Sequence, residues 1–296
     1  MGMFCFQCQE AAGNSGCTVS GVCGKSEKTA GLQDLLVYVM KGMSVFLEKA
    51  LEEGDDISEG AGFVMDGLFI TVTNTNFDDE AITRAVSRGL EMKRGLAGRY
   101  AGSIEGALPG CATWDPAPGE DLLARKDEAG VLATGSEDVR SLRELLVYGI
   151  KGIAAYAHHA RVLGHSDGEV EKFLVKALAS TVKELPEEEM VALVMEAGAR
   201  AVDTMALLDK ANTEAYGSPE ITEVDIGAGS RPGILVSGHD LKDLEELLRQ
   251  TEGKGIDVYT HGEMLPAHYY PGLKKFAHLA GNYGGSWWKQ SSEFES

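Results

Sequence analysis

The sequence predicts a mainly α-helical chain in which duplicated three-helix bundles are followed by the start of a parallel α/β domain of Rossmann-like form. Two observations predict the bundles: apolar residues recur at the spacing of one helical face, and part of the chain repeats itself 110 residues later. A third observation predicts the α/β part, because a strand, a helix and a second strand follow one another near the C-terminal end.

The composition is that of an ordinary globular chain, with 296 residues of which 44% are apolar and 25% are charged. The formal net charge is −19, whereas a surface for nucleic acid or anionic membrane needs a basic excess, so neither partner is expected. No apolar run approaches the roughly 20 residues of a membrane span, and the N-terminus lacks the regions of a secretory signal. A cytoplasmic location is therefore expected.

The first element is a Cys-rich segment, residues 1–29, which is predicted to bind metal. It contains four of the five cysteines, Cys5, Cys8, Cys17 and Cys23. In a cytoplasmic chain such clustering indicates a metal site more than a disulfide framework. The spacing favours an iron–sulfur cluster over structural zinc, which prefers paired Cys-x2-Cys units, and both zinc and disulfides stay open as alternatives. The lone Cys111 is expected to be a small buried hydrophobe.

The second element, residues 30–220, is predicted to form two three-helix bundles, at 30–100 and 137–217. The segment Leu32–Tyr38 matches Leu142–Tyr148 at an offset of 110 residues. The same offset relates further pairs, namely Lys41 and Lys151, Gly42 and Gly152, Phe63 and Phe173, Leu68 and Leu178, Thr71 and Thr181, and Val72 and Val182. One offset held without gaps indicates an internal duplication.

Each copy is expected to contain three helices. The predicted helices cover residues 30–53, 58–74 and 78–99 in the first copy, and 137–164, 168–184 and 187–216 in the second. Tyr38 and Tyr148, which are equivalent in the two copies, are expected to pack in the bundle cores. Residues 101–136 are rich in Gly and Pro and are predicted to be a connecting loop.

The third element, residues 221–296, is predicted to be an incomplete α/β domain. A buried strand is expected at 233–237 and a second strand at 256–260, with a helix between them that Asp240 caps. His239 and Glu263 each follow one of these strands, at the edge where ligands bind in open α/β sheets, and imidazole and carboxylate both bind iron. The residues alone nevertheless favour ordinary capping or solvated loop positions for both side chains.

Several motifs together carry a resemblance to a known family. They are Met3–Glu10, Gly16–Thr18, Gly21–Lys25, Leu32–Leu36, Gly238–Leu241, Tyr259–His268 and Gly281–Gly284. These motifs closely resemble those of the hybrid-cluster proteins, also called prismane proteins or hydroxylamine reductases, over the N-terminal half of the family's chain. The resemblance implies a helical domain of two three-helix bundles followed by α/β domains related to carbon monoxide dehydrogenase.

The resemblance also implies site residues and a function. The four clustered cysteines match the ligands of a [4Fe–4S] cluster. His239 and Glu263 match two ligands of a second, catalytic hybrid iron–sulfur–oxygen cluster, which reverses the expectation from the residues alone. The implied protein is a cytoplasmic oxidoreductase that takes electrons from a redox donor at the [4Fe–4S] cluster. It reduces hydroxylamine to ammonia and water, or reduces a related small nitrogen oxide, at the hybrid cluster.

The remaining ligands of the family's hybrid cluster are expected beyond the last residue of this chain, which looks cut short. The alternative is therefore a truncated or split [4Fe–4S] electron-transfer module without its own catalytic centre. A second chain would then supply the missing C-terminal half.

Overall fold

The computed structural model describes residues 2–8, 10–72, 75–117 and 119–295. Contacts divide the chain into two compact units. The first unit joins Met1–His158 to Ser166–Met205, and the second joins His159–His165 to Ala206–Ser296. The first unit is helical and the second contains a three-stranded parallel sheet, so the predicted fold class is confirmed.

Each copy of the duplicated sequence forms three long helices. They are α1 (Glu27–Glu53), α2 (Ser58–Ile70), α3 (Asp79–Tyr100), α4 (Glu137–Val162), α5 (Gly168–Ser180) and α6 (Glu187–Tyr216). Helices α2 and α5 end in the same way, because the hydroxyls of Thr71 and Thr181 donate to the carbonyls of Leu68 and Leu178, at 2.8 and 2.7 Å. Both helices end earlier than predicted, and residues 73 and 74 of the predicted first-copy helix lie outside the described residues.

The two copies share a hydrophobic core in the first unit. Leu36 and Leu68 of the first copy and Leu146 and Leu178 of the second are each at most 1% exposed and belong to the same apolar cluster. Helix α1 packs against α2 and α3 of its own copy and also against α5 of the other. The limits of two separate bundles, at 30–100 and 137–217, therefore stay a prediction.

Residues 101–136, predicted to be a connecting loop, link the two copies through turns and short helices, and part of this segment packs against α1. It contains short helices, among them Gly110–Thr113 and Lys126–Ala129. The buried Lys93 of α3 anchors it, because its ammonium group donates to the carbonyl oxygens of Cys111, at 2.8 Å, and of Trp114. Gly and Pro mark where the chain turns, but they do not show whether the turns pack. Cys111 is 2% exposed, as predicted.

This segment covers α1, whereas the equivalent face of α4 is exposed. The ring of Tyr38 lies edge-on against Trp114, with 5.9 Å between ring centroids, and Tyr148 is 50% exposed. The expectation that both tyrosines pack in a core was therefore wrong for Tyr148. A duplicated sequence repeats a helix, but the neighbours of that helix differ between the copies.

The sheet of the second unit has the strand order β1 (Gly233–Ser237), β2 (Asp257–His261) and β3 (Leu279–Asn282), all parallel. Helix α7 (Leu241–Thr251) follows β1, and Asp240 caps it as predicted by accepting from the N–H groups of Lys242 and Asp243. The helix buries Leu244 and Leu248 in an apolar cluster that also contains Val258 of β2.

Helix α1 is long and apolar enough to cross a membrane by length and composition. Within the fold, 78% of its most apolar 18-residue window is buried. A core helix meets the same two criteria, so the observation is weak evidence for a membrane span.

Candidate metal centres

The Cys-rich segment folds back on itself and brings its cysteines together. Cys5 and Cys17 form an antiparallel bridge, in which each backbone N–H donates to the other's carbonyl, at 3.0 and 2.8 Å. Between them the chain turns through a short 3-10 helix, Ala12–Asn14. Cys17 is buried, Cys5 and Cys8 are half-buried and Cys23 is exposed, and all four are free thiols.

The pKa of the Cys8 thiol responds to the charges of the other three cysteines. Burial raises the pKa of the Cys8 thiol, and the negative charges of Cys23, Cys5 and Cys17 raise it further, against a hydrogen bond from the backbone of Glu10. Four thiolates this close therefore repel one another. A cation or a positively charged cluster core among them would remove that cost.

Two hydrogen-bond donors reach sulfur atoms of the set. The backbone N–H of Ala12 donates to Sγ of Cys17 at 3.4 Å, and Nζ of the buried Lys25 lies 3.8 Å from Sγ of Cys5. A Cβ atom at Gly21 would lie 3.1 Å from Sγ of Cys23, so only glycine leaves this sulfur its present space. Such donors stabilise thiolates and tune the metal centre that the thiolates bind.

The chemistry of this donor set fits an iron–sulfur cluster, because it offers four thiols with N–H and ammonium donors to sulfur. Within the part of the chain that the structure describes, no group of three or more His, Cys, Asp or Glu side chains is arranged to hold a single metal ion.

His239 and Glu263 lie in contact at the carboxyl edge of the sheet. The last residues of β1 and β2, Ser237 and His261, are paired in register, and each candidate lies two residues beyond one of them. Because the two residues occupy equivalent positions after paired strand ends, Nε2 of His239 contacts Oε2 of Glu263. Their side chains are 61% and 56% exposed, so both are accessible to a ligand. The structure thus brings an imidazole and a carboxylate together where the sequence placed them.

A buried hydrogen-bond network fixes the 3-10 helix that carries Glu263. Oγ1 of Thr260, on β2, lies 2.8 Å from Nε2 of His268 and accepts from Nδ2 of Asn282, on β3, at 2.9 Å. Burial lowers the pKa of His268, which favours the neutral imidazole that this network needs. The helix Gly262–Tyr269 is therefore tied to the central strand by His268, five residues after Glu263.

Sequence reasoning missed two buried lysines, Lys25 within the Cys-rich segment and Lys151 beside it. Lys25 and Lys151 are 3% and 5% exposed. The helical period was a usable signal for Lys151, because it lies on the same face of α4 as the buried residues Val147 and Ala154. Lys25 lies in a turn, where no periodicity reports burial.

The comparisons with known proteins agree with the resemblance in the sequence. Proteins named "Hydroxylamine reductase" from Desulfosudis oleivorans and Nitratidesulfovibrio vulgaris are each 55% identical to this chain, over 99% of it and 54% of their own length. One from Clostridium tetani is 50% identical over 100% of this chain and 56% of its own length. The chain therefore spans about half the length of these curated relatives.

Similarity among solved structures is weaker. A carbon monoxide dehydrogenase from Thermococcus sp. AM4 is 14% identical, with a TM-score of 0.32, over 99% of this chain and 44% of its own. The family model, in contrast, matches residues 3–296. The chain belongs to the Prismane/CO dehydrogenase family.

Proposed function

We propose that this chain is the iron–sulfur part of an oxidoreductase that reduces hydroxylamine or a related small nitrogen oxide. The observation that carries the proposal is the gathering of four free thiols with two donors to sulfur at the N-terminal end of the chain. The relatives named hydroxylamine reductase supply the reaction class, although the chain covers only 54% of the length of two of them.

Cys5, Cys8, Cys17 and Cys23 would hold a [4Fe–4S] cluster, which supplies one-electron transfer when bound. Groups of this chain position the sulfur atoms and offset their negative charge. The backbone hydrogen bonds between Cys5 and Cys17 hold these two residues next to each other. The Ala12 N–H offsets negative charge on the Cys17 sulfur, and the Lys25 ammonium group offsets negative charge on the Cys5 sulfur. The half-exposed position of the set would leave it accessible to an electron donor.

Metal analysis tests this assignment. After anaerobic purification we expect about four irons and four acid-labile sulfides per chain. Cys17→Ser should lose most of both, whereas Cys111→Ala is the matched control, because Cys111 is buried in the segment that packs on α1 and should leave the content unchanged. Zinc without sulfide would contradict the assignment.

His239 and Glu263 would be ligands of the second centre, a hybrid iron–sulfur–oxygen cluster. An imidazole and a carboxylate are both good ligands for iron, and here they already touch at an exposed sheet edge. The contact between Nε2 and Oε2 has to open to admit a metal, so metal and proton compete for the same atoms. This chain would supply two ligands of that cluster, and a second chain or further residues would supply the others.

Iron content beyond that of the cysteine site tests the second centre. In a preparation that holds iron above about four per chain, because a second chain or further residues supply the remaining ligands, we expect His239→Ala and Glu263→Gln to lower this additional iron without affecting the cysteine-bound iron. Glu252→Gln, at an exposed carboxylate after α7, is the control. Equal iron content in all three variants would contradict the assignment of these two residues.

The proposed reaction converts hydroxylamine, two electrons and two protons into ammonia and water. It is tested by ammonium formation with reduced methyl viologen as the donor. Turnover by the iron-loaded chain would support the catalytic function. A chain that accepts electrons from the viologen and forms no ammonium would instead be the electron-transfer module considered above. We also propose a cytoplasmic location and a separate redox protein as the physiological electron donor.

A further inference from the structure

Residues of the duplicated helices and of the Cys-rich segment line a small, partly open cavity. The cavity has a volume of about 30 Å³. It is lined by three pairs of residues related by the 110-residue offset, namely Asp34 and Glu144, Val37 and Val147, and Lys41 and Lys151. Helices α1 and α4 thus each contribute an acidic residue, a valine and a lysine to the lining of the cavity. Phe6 and Gln7 of the Cys-rich segment also line it.

Lys151 connects this cavity to the Cys-rich segment. Its side chain is almost completely buried, and its Nζ lies 2.5 Å from the amide oxygen of Gln7, between Cys5 and Cys8 in sequence, once that amide is oriented to satisfy both of its atoms. In this orientation the Gln7 amide nitrogen donates to the Thr71 carbonyl at 3.3 Å. The lysine ammonium group is therefore held against the side chain of Gln7, which lies between two cysteines in the sequence.

Lys25 places a second positive charge on the same side of the cysteines. Its Nζ donates to Oε1 of Gln33 at 2.7 Å and lies 3.8 Å from Sγ of Cys5. Gln33 is itself fixed, because its amide nitrogen donates to the Asn76 carbonyl at 3.1 Å. Both lysines are thus buried and oriented by amide side chains.

The acids around these lysines compensate their charge only in part. Asp34, Glu144 and Lys41 face Lys151 across the cavity. Burial raises the pKa of Asp34, against the opposing charge of Lys151, so its carboxyl group favours the neutral form more than an exposed aspartate does. Burial lowers the pKa of Lys151 while Asp34 opposes this change. A buried charge is screened by salt much less than an exposed one.

We propose that Lys25 and Lys151 are positioning residues that hold two positive charges beneath the cysteine site and thereby favour the reduced form of the cluster bound there. This inference rests on the proposed function, since it requires an iron–sulfur cluster on the four cysteines. Reduction adds one electron from the donor and one unit of negative charge to the site. No bond forms or breaks in this step. A fixed positive charge nearby stabilises the more negative state.

The test is a redox titration of the anaerobically purified, iron-loaded chain at pH 7, followed by electron paramagnetic resonance. Lys25→Gln and Lys151→Gln should each lower the ratio of reduced to oxidised cluster, at a fixed potential, by about tenfold, which corresponds to 59 mV for a one-electron couple. Lys28→Gln is the matched control, because Lys28 is 61% exposed and pairs with Asp79. It should shift the ratio by less than about twofold.

A second control separates charge from structure. Gln33→Leu removes a hydrogen-bond partner of Lys25 but keeps the lysine charge, so its effect should be smaller than that of Lys25→Gln. Unchanged potentials in both loaded lysine variants would overturn the inference and leave the proposed function intact. Loss of iron from both variants, but not from Lys28→Gln, would also overturn it in favour of a role in cluster assembly. Absence of iron and sulfide from the unmodified chain would instead refute the proposed function.

Discussion

Glycine to alanine substitutions at equivalent positions of the duplicated helices should change stability in opposite directions. Gly42 on α1 and Gly152 on α4 occupy the same place in the two copies. A Cβ atom at Gly42 would lie 2.2 Å from the carbonyl oxygen and 2.6 Å from the carbonyl carbon of Cys111. At Gly152 no atom lies within 4 Å of such a Cβ.

The magnitude follows from two opposing contributions. Alanine is favoured over glycine in a helix interior by roughly 0.5–1 kcal/mol, so Gly152→Ala should raise the free energy of unfolding by about that amount. At Gly42 the backbone must move by about 1 Å to reach ordinary contact, and overpacking of this kind costs roughly 1–3 kcal/mol. The Cys111 carbonyl cannot move freely, because Lys93 donates to it at 2.8 Å. Gly42→Ala should therefore destabilise the chain by about 1–2 kcal/mol net.

Urea unfolding followed by far-UV circular dichroism measures both variants, since the chain is mainly helical. We expect the unfolding midpoint to fall for Gly42→Ala and to rise for Gly152→Ala, with equal slopes. A gap of about 1.5–3 kcal/mol between the two variants is predicted. Shifts of the same sign and similar size would refute the packing of residues 110–114 against α1.

Three further predictions concern stability. Asp78→Ala removes the side chain that accepts from two N–H groups at the start of α3, and urea unfolding should show a loss of about 1 kcal/mol. Burial lowers the pKa of Lys93 to about 8, so between pH 8 and about 10.5 the unfolded chain binds more protons than the folded chain. The free energy of unfolding of the wild type, relative to that of Lys93→Met, should therefore rise with pH over this range, by roughly 1–3 kcal/mol. Unfolding measurements at pH 8 and at about pH 10.5 test this rise. Thr260→Val should cost about 1–3 kcal/mol in thermal unfolding, because Asn282 and His268 lose a buried partner, and an unchanged midpoint would contradict that network.

Much of the local structure could be predicted from the sequence, because it depends on interactions within a few residues. The Asp240 cap depends on its own neighbours, and the helices depend on apolar residues at the helical period. The contact of His239 with Glu263 was within reach as well. Once two strands are parallel and in register, residues that follow them by the same number of positions come to the same edge.

The sequence by itself determined the helical repeat, the strand–helix–strand order and the clustering of four cysteines, since each is a pattern along the chain. Only the tertiary structure decided that Tyr148 is exposed while Tyr38 is covered. It also decided that Lys25 and Lys151 lie buried beside the cysteines. Burial depends on which distant segment packs on a surface, and two copies of one sequence can meet different segments. The physical reason is that local propensities act within a helix or turn, whereas the environment of a charge is set by long-range packing.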